Sequence, residues 1–251
     1  MPAELVSVIT PAYNAAAYVQ RAIVSVQAQD YADWEMLVVD DCSGDSTRET
    51  VAELAAADPR IRLITQTTNQ GPAMAREAAL RASRGRYLAF LDSDDWWLPQ
   101  KLSRQLAFMQ ETGTALSYTE YRRVRADGSA PGSLIKVPDS LNYRQLLRNT
   151  AIGTSTAMVD RSITGELHMT HTYYDDFVLW LDILRSGRVA RGLHQDLMRY
   201  RVLGGSVSRN KVRSGRKVWQ TYRQIEGLSY FRSAWCFLGY ATKGVIKHRR
   251  F

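Results

Sequence analysis

Four short apolar runs of strand type recur at a nearly even spacing in the N-terminal part of the sequence. They begin near Val6, Glu35, Ile61 and Tyr87, at intervals of 29, 26 and 26 residues. Helical patterns fill the intervals, and this alternation is typical of βα units that build a parallel sheet. The sequence therefore predicts an α/β fold with a Rossmann-like, mostly parallel sheet flanked by helices.

The fourth run leads directly from an apolar strand into carboxylates, because Tyr87 to Leu91 is followed by Asp92, Ser93 and Asp94. In open α/β sheets, ligands bind beyond the carboxyl ends of the strands. Alternation along an extended segment would point Asp92 and Asp94 to the same side, where both could face one hard cation or the phosphates that it binds. Acids after a strand are also common turn residues and helix caps, and the pattern alone leaves that alternative open.

Polar residues follow the other strands as well. The first strand ends at Pro11, Tyr13 and Asn14, where the ring of Tyr13 could stack on a base and Asn14 could cap the next helix. Asp41 follows the second strand and could bind a ligand. Arg76, one turn into the third helix, would face the same edge and meet a base carbonyl or a carboxylate. A plain strand-turn-helix unit and a surface ion pair are the alternatives.

The parallel rhythm breaks near residue 115, and we expect the less regular half that follows to shape a second-substrate site. Short strands are predicted at 115–118, 121–125 and 154–159. A helix with one apolar face begins at Asp175 and Asp176, whose charges suit the helix dipole. From this segment alone, those two acids are explained by helix capping.

A segment rich in bases and hydroxyls surrounds Gly204 and Gly205. Arg201, Ser206 and Ser208 lie in it, and such a turn suits an oxyanion such as a diphosphate because backbone amides become accessible there. A solvated basic loop is the alternative.

The formal charge of +8 is concentrated at the C-terminal end. From Arg209 onward the sequence has eleven Lys or Arg and one acid, which leaves 22 bases and 24 acids before it. This distribution argues against a basic nucleic-acid-binding face on the body of the protein. Cys42 and Cys236 form no disulfide framework, no secretory leader is seen, and the longest uncharged apolar stretch has ten residues. A cytoplasmic location is expected.

The segment 211–251 is predicted to form a basic helical tail with two helices separated near Gly227. In the second helix Phe231, Trp235, Leu238 and Thr242 recur on one side. Aromatic residues with flanking bases are typical of a helix that lies on an anionic membrane surface. Packing against the body or against a second subunit, as in a homodimer, is an equal alternative.

Taken together, these segments resemble glycosyltransferase family 2. The matching motifs are VSVITPAYN at 6–14, EMLVVDDCSGDST at 35–47, NQGPAMARE at 69–77, YLAFLDSDDWW at 87–97, DDFVLWLDILRSG at 175–187 and YRVLGGSVSR at 200–209. The resemblance implies a GT-A fold over residues 1–210, with a nucleotide-sugar-binding half at 1–114 and an acceptor half at 115–210. The implied reaction is metal-dependent, inverting transfer of a sugar from a nucleotide-sugar to a hydroxyl of a glycan or lipid-linked saccharide. Such an enzyme of cell-surface polysaccharide synthesis would work in the cytoplasm, at times peripherally on the inner face of the membrane.

The resemblance also implies roles for individual residues. The residues implied for donor binding are Pro11, Tyr13, Asn14, Asp41, Arg76, Asp92, Ser93, Asp94, Arg201, Ser206 and Ser208, with Pro11, Tyr13, Asp41 and Arg76 at a nucleobase and ribose that are usually those of uridine. Asp94 and Asp92 match the pair that binds Mg²⁺ or Mn²⁺, and Asp176 matches the catalytic base. Leu203 stands where related loops often have a histidine, so metal binding would depend on Asp94, the diphosphate and water. A nucleotidyltransferase and a catalytically silent scaffold subunit are the alternative functions.

Overall fold

The computed structural model describes residues 4–129, 131–169, 171–172, 174–203 and 211–248, with backbone only for 211–213 and 243–248. The strands are β1 (Val6–Ala12), β2 (Trp34–Asp40), β3 (Ile61–Thr65), β4 (Tyr87–Phe90), β5 (Trp96–Trp97), β6 (Leu116–Val124), β7 (Leu134–Ile135), β8 (Ser140–Leu141), β9 (Met158–Asp160) and β10 (Ala190–Arg201). The α-helices are α1 (Val19–Gln27), α2 (Thr47–Ala57), α3 (Pro72–Ala82), α4 (Lys101–Thr112), α5 (Tyr143–Leu146), α6 (Arg161–Thr164), α7 (Asp175–Arg185), α8 (Lys211–Gln220) and α9 (Tyr230–His248). A 3₁₀ turn spans Thr154–Thr156, and a π-helical turn spans Thr221–Ile225.

All ten strands belong to one sheet, in the order β3-β2-β1-β4-β9-β6-β10-β5, with β7 on β6 and β8 on β10. The four N-terminal strands pair in parallel, as do the long strands β6 and β10. Strand β9 runs antiparallel between β4 and β6. The parallel α/β prediction is therefore confirmed, and the parallel β1, β2, β3 and β4 bring the ends of four βα units to one edge.

Both faces of the sheet are covered, which explains why β1, β2 and β4 are buried along their length. One core contains Ile9, Leu37 and Phe90 and packs against α3 and α7. The other contains Val8 and Met36 and packs against α1 and α4. Neighbouring residues of each strand enter opposite cores because side chains alternate across a sheet.

Two features of the acceptor half differ from the prediction. The expected pair of strands at 115–118 and 121–125 is a single strand, β6, which continues through the polar Thr119 and Glu120 because β10 pairs with it along its length. The expected strand at 154–159 begins with the 3₁₀ turn, and strand β9 starts only at Met158. Sheet pairing overrode local polarity in the first case.

The two tail helices are separated near Gly227, as predicted, and their inner side packs on the body. Val218 and Tyr222 are fully buried in the core that contains α7. The carboxylate of Glu226 accepts a hydrogen bond from Arg185 at 2.7 Å and another from the hydroxyl of Tyr143. No helix within the described residues is long and apolar enough to cross a membrane.

Candidate active site

The loops after β1, β2 and β3 are connected by one buried carboxylate. Asp41 accepts hydrogen bonds from the backbone N–H groups of Gln70 and Gly71 at 2.8 and 2.7 Å. Its own N–H donates to the carbonyl of Ala12 at 2.9 Å. The structure thus places Asp41 between the loops that follow three parallel strands. Pro11 is buried in β1, whereas the ring of Tyr13 is half exposed above the same edge.

The side chains of Asn14 and Asp45 connect the loops after β1 and β2. Asn14 does not cap α1, because its side-chain oxygen accepts the N–H of Gly44 in the next loop at 2.9 Å. Its left-handed backbone, with a φ of 46°, allows this contact at a position where Asn is among the more tolerant residues. The carboxylate of Asp45 accepts the N–H groups of Thr47 and Ala16 at 3.0 and 3.1 Å. Both side chains therefore fix the loop after β1 against the loop after β2.

Arg76 and Asp92 form an ion pair at the centre of the edge. The Nη2 of Arg76 lies 2.5 Å from Oδ1 of Asp92. Burial lowers the pKa of the Arg76 guanidinium, but the charges of Asp92 and Asp176 outweigh that effect, so the net shift is upward. Arg76 therefore pairs with a carboxylate, as one prediction expected. Because the Arg76 side chain is buried, this pair is not the surface ion pair that the alternative prediction expected.

The acids after β4 lie in a turn, not in an extended segment. The N–H of Asp95 donates to the carbonyl of Asp92 at 3.1 Å, so the alternation expected for Asp92 and Asp94 does not apply. Burial, followed by the charge of Asp92, raises the pKa of Asp94 to about 6. Ser93, like its two neighbours, is half buried at the edge of the sheet.

Asp95 is a site residue that the sequence reasoning missed. It is buried, and its carboxylate accepts the hydroxyl of Ser155 at 2.6 Å and the backbone N–H of Arg201 at 2.9 Å. Burial raises its pKa well above the ordinary value, and the charges of Asp94 and Asp92 add to the shift. The hydroxyl of Ser155 also accepts the N–H of Asp92 at 3.1 Å.

Arg201, at the end of β10, contacts the acidic turn that follows β4. Its Nε donates to the carbonyl of Asp94 at 2.9 Å and its Nη1 to the carbonyl of Ala126 at 2.6 Å. The guanidinium also lies 4.8 and 5.0 Å from the ring centroids of Tyr18 and Trp96. Arg201 is therefore a buried positive charge beside the acidic turn. Ser206 and Ser208, which were predicted to act with it, lie outside the described residues.

Asp176 approaches the same region from α7. Its Oδ2 accepts the hydroxyl of Thr154 at 2.5 Å, and its Oδ1 accepts the N–H of Phe177 at 2.7 Å. Burial raises the pKa of Asp176, while the hydrogen bond from Thr154 and the charge of Arg76 limit the rise. Asp175 does not cap α7 in the usual way, because its carboxylate accepts the N–H of Thr172, before the helix, at 2.9 Å.

The acidic turn has the donor atoms that a hard divalent cation requires. Asp92 and Asp94 offer carboxylate oxygens beside the buried Asp95. The described residues contain no group of three or more His, Cys, Asp or Glu that could hold a metal ion by itself. Mg²⁺ is commonly bound by one or two carboxylates together with substrate phosphates and water. The residues present therefore fit a cation that arrives with a phosphorylated ligand.

Comparison with known proteins identifies the class to which this arrangement belongs. The fold is shared with TarS of S. aureus in complex with UDP-GlcNAc, with a TM-score of 0.73 and 19% identity over 94% of this chain and 71% of that chain. It is also shared with the mannosyltransferase PcManGT of Pyrobaculum calidifontis in complex with GDP-Man and Mn²⁺, with a TM-score of 0.70 and 20% identity over 94% and 73% of the two chains. The protein therefore has the GT-A fold.

The sequence comparisons identify the family. Residues 7–167 match the family described as Glycosyl transferase family 2. The putative teichuronic acid biosynthesis glycosyltransferase TuaG of Bacillus subtilis (strain 168) is 43% identical over 97% of each chain. The UDP-Glc:alpha-D-GlcNAc-diphosphoundecaprenol beta-1,3-glucosyltransferase WfgD of Escherichia coli is 35% identical over 97% of this chain and 95% of that protein. The chain belongs to glycosyltransferase family 2 and is a glycosyltransferase, which argues against both alternative functions.

Proposed function

We propose that the protein transfers a sugar, with inversion, from a nucleotide-sugar to a hydroxyl of a lipid-linked saccharide or other glycan in cell-surface polysaccharide synthesis. The observation that supports this most directly is the placement of Asp176 near the edge where Arg76 and Asp92 pair. The Asp176 carboxylate, which belongs to the acceptor half, thereby lies close to the sheet edge of the donor half. Inverting transfer in one displacement step needs the base on the opposite side of the sugar from the leaving diphosphate.

For the donor we propose a UDP-sugar bound along the edge formed by Pro11, Tyr13, Asp41 and Arg76. The Nε of Arg76 is buried and has no hydrogen-bond partner among the described residues. A buried N–H without a partner is costly, so a ligand carbonyl at this position would be favoured. The similarity to TarS in complex with UDP-GlcNAc and to WfgD, a UDP-Glc enzyme by name, supports uridine.

In this mechanism Asp176 accepts the proton of the attacking acceptor hydroxyl. It must be ionised to do so, and its pKa is raised by burial, so activity should fall as pH falls through that value. Arg201, beside the acidic turn, would stabilise negative charge on the departing diphosphate, together with Ser206 and Ser208 of the following segment. Asp94 and Asp92 would hold Mg²⁺ or Mn²⁺, which supplies Lewis-acid stabilisation of the leaving group when bound.

The variant Asp176→Asn tests the base assignment. We expect transfer to fall by a factor of about 100 or more while the dissociation constant of the UDP-sugar stays unchanged. Asp182→Asn is the matched control, because Asp182 lies on the same helix with half of its side chain exposed. Near-normal transfer by Asp176→Asn would contradict the assignment.

We further propose that α9 places the enzyme on an anionic membrane, at the cytoplasmic face where a lipid-linked acceptor would be found. Tyr230, Phe231, Trp235 and Leu238 are each more than half exposed on its outer side. The guanidinium of Arg223 lies 3.8 Å from the ring centroid of Tyr230. Exposed aromatic rings with adjacent cations favour the interface of an anionic bilayer. WfgD, by its name, acts on a diphosphoundecaprenol-linked sugar, which agrees with such a location.

Sedimentation with phosphatidylglycerol vesicles tests the membrane proposal. The double variant Phe231→Ser/Trp235→Ser should lose most of its vesicle binding, because each substitution removes about 1.5–3 kcal/mol of the free energy gained by burying an apolar side chain in the membrane. Val24→Ser/Ile163→Ser, which changes exposed apolar residues elsewhere, is the control. Binding unchanged by the α9 variant would contradict the proposal. A concentration-dependent dimer abolished by that variant, without vesicle binding, would assign the face to a second copy instead.

A further inference from the structure

The 3₁₀ turn Thr154–Thr156, beside the candidate site, is held by two side chains that donate hydrogen bonds to its backbone carbonyls. The indole Nε1 of Trp97 donates to the carbonyl of Ser155 at 2.8 Å. The amide of Gln105 donates to the carbonyl of Thr156 at 3.0 Å. Ser155 and Thr156 are buried, and strand β9 follows almost at once. The turn is therefore anchored to β5, to α4 and to the sheet.

Two adjacent hydroxyls of this turn contact opposite halves of the candidate site. Ser155 accepts the N–H of Asp92 and donates to Asp95, so it fixes the acidic turn of the donor half. Thr154 donates to Asp176 and so fixes a carboxylate of the acceptor half. The dipeptide Thr154-Ser155 thus fixes the position of the acidic turn relative to the Asp176 carboxylate.

We propose that Thr154 is a positioning residue for catalysis, whose hydroxyl holds the Asp176 carboxylate in register with the donor-binding turn that Ser155 fixes. The inference rests on the proposed role of Asp176 as the base. A base displaced by about an ångström loses much of its effect, although substrate still binds. The side chain of Thr154 acts through Asp176 and does not itself take the proton.

The charged and titratable groups around Asp176 come from three elements. Arg76 on α3 and Asp92 after β4 face it from the donor half, and Tyr174 and Asp175 adjoin it at the start of α7. Of these, Arg76 favours the ionised carboxylate and Asp92 opposes it. The hydroxyl of Thr154 favours the ionised form because it donates a hydrogen bond to the carboxylate.

The test compares Thr154→Val, which keeps the shape and removes the hydroxyl, with Thr154→Ser, which restores the hydroxyl. For Thr154→Val we expect kcat at neutral pH to fall about tenfold, the KM for the UDP-sugar to stay the same, and the acidic midpoint of the kcat profile to rise by about one pH unit. Thr154→Ser should recover kcat to within about threefold. Thr112→Val is the control, because the Thr112 hydroxyl donates to a backbone carbonyl on the exposed side of α4.

Each outcome decides a different question. Normal kcat and an unchanged pH midpoint in Thr154→Val, when Asp176→Asn is inactive, would overturn the positioning role and leave the base assignment intact. Near-normal activity in Asp176→Asn would overturn the assignment of Asp176 as the base, and with it the inference about Thr154, without contradicting sugar transfer. A Thr154→Val variant that unfolds is replaced by Thr154→Ala. Failure of Thr154→Ser to restore kcat in a folded protein also overturns the inference, because a hydroxyl would then not be the relevant group.

Discussion

Lys101 tests how burial without a counter-ion affects the charge of a side chain near the candidate site. It is the first residue of α4, it is fully buried, and its Nζ has no hydrogen-bond partner within the described residues. The amine lies 3.8 Å from the ring centroid of Trp97, the residue that also bonds to Ser155. Burial lowers the pKa of Lys101 well below its usual value.

Two effects compete for the charge state of this amine. A desolvated cation–π contact stabilises the charged form by about 2 kcal/mol. Burial of an ion without a counter-ion costs several kcal/mol even after relaxation. The second effect is larger, so the amine should be neutral in the folded protein. The unfolded chain then binds one more proton than the folded one. Stability should therefore rise by about 1.4 kcal/mol per pH unit between the folded pKa and about 10.4.

The variant Lys101→Met removes the amine and keeps most of the volume. In urea denaturation at pH 7 we expect it to be more stable than the wild type by about 1–4 kcal/mol. The difference should shrink by about 1.4 kcal/mol per pH unit between pH 7 and 9, because protonation of the unfolded lysine, which favours the unfolded wild type, becomes less favourable as pH rises. Lys136→Met, at an exposed position, should change stability by less than about 0.5 kcal/mol at either pH. A Lys101→Met protein that is less stable than the wild type, with no dependence on pH, would refute the argument.

Two further predictions concern ion pairs. Arg76→Met should lower the free energy of unfolding by about 2 kcal/mol, which is less than the loss of a fully buried pair costs, because Asp92 stays partly hydrated. Arg76→Lys should lower the free energy of unfolding less, and urea denaturation measures both variants. His194 lies 3.2 Å from Glu120 and 2.7 Å from Asp139, and these hydrogen bonds raise its pKa. Its stabilisation, below about 1 kcal/mol at this half-exposed site, should be complete below pH 6.5 and be lost as pH rises through the folded pKa. Equal stability differences between His194→Gln and wild type at pH 5.5 and 8.5 would exclude it.

The N-terminal half of the fold was predictable because its signals are local. Strands β1, β2 and β4 are buried along their length, since helices cover both faces of the sheet, and β1, β3 and β4 begin where the sequence predicts. Asp41 and Asp92 follow from the same logic, because each lies just beyond a strand end, and Arg76 follows because it lies one turn into the helix after β3. Their shared edge is a consequence of parallel strand order, which the spacing of the runs already indicated.

The contacts that hold the remainder of the site were not predictable, because they join distant parts of the chain. Ser155 meets Asp95 across 60 residues, and Thr154 meets Asp176 across 22 residues, through hydroxyls that belong to no periodic pattern. The turn that contains these hydroxyls resembles a strand in sequence, because Thr154 and Thr156 are β-branched and an apolar run begins at Ala157. Asn14 shows the same limit, because a residue typical of a helix cap bonds instead to the neighbouring loop.

The three acids after β4 differ in their surroundings, and this difference explains how they can lie side by side. Adjacent carboxylates repel one another, so three ionised groups in one partly buried turn would be costly. Arg76 neutralises Asp92, and Asp95 is buried among hydrogen bonds, with a pKa raised well above its ordinary value. Asp94 is the carboxylate that we propose to bind the cation, because its raised pKa, about 6, still leaves it mostly ionised at neutral pH. A cation beside it would favour that form further, so donor and metal binding should reinforce each other.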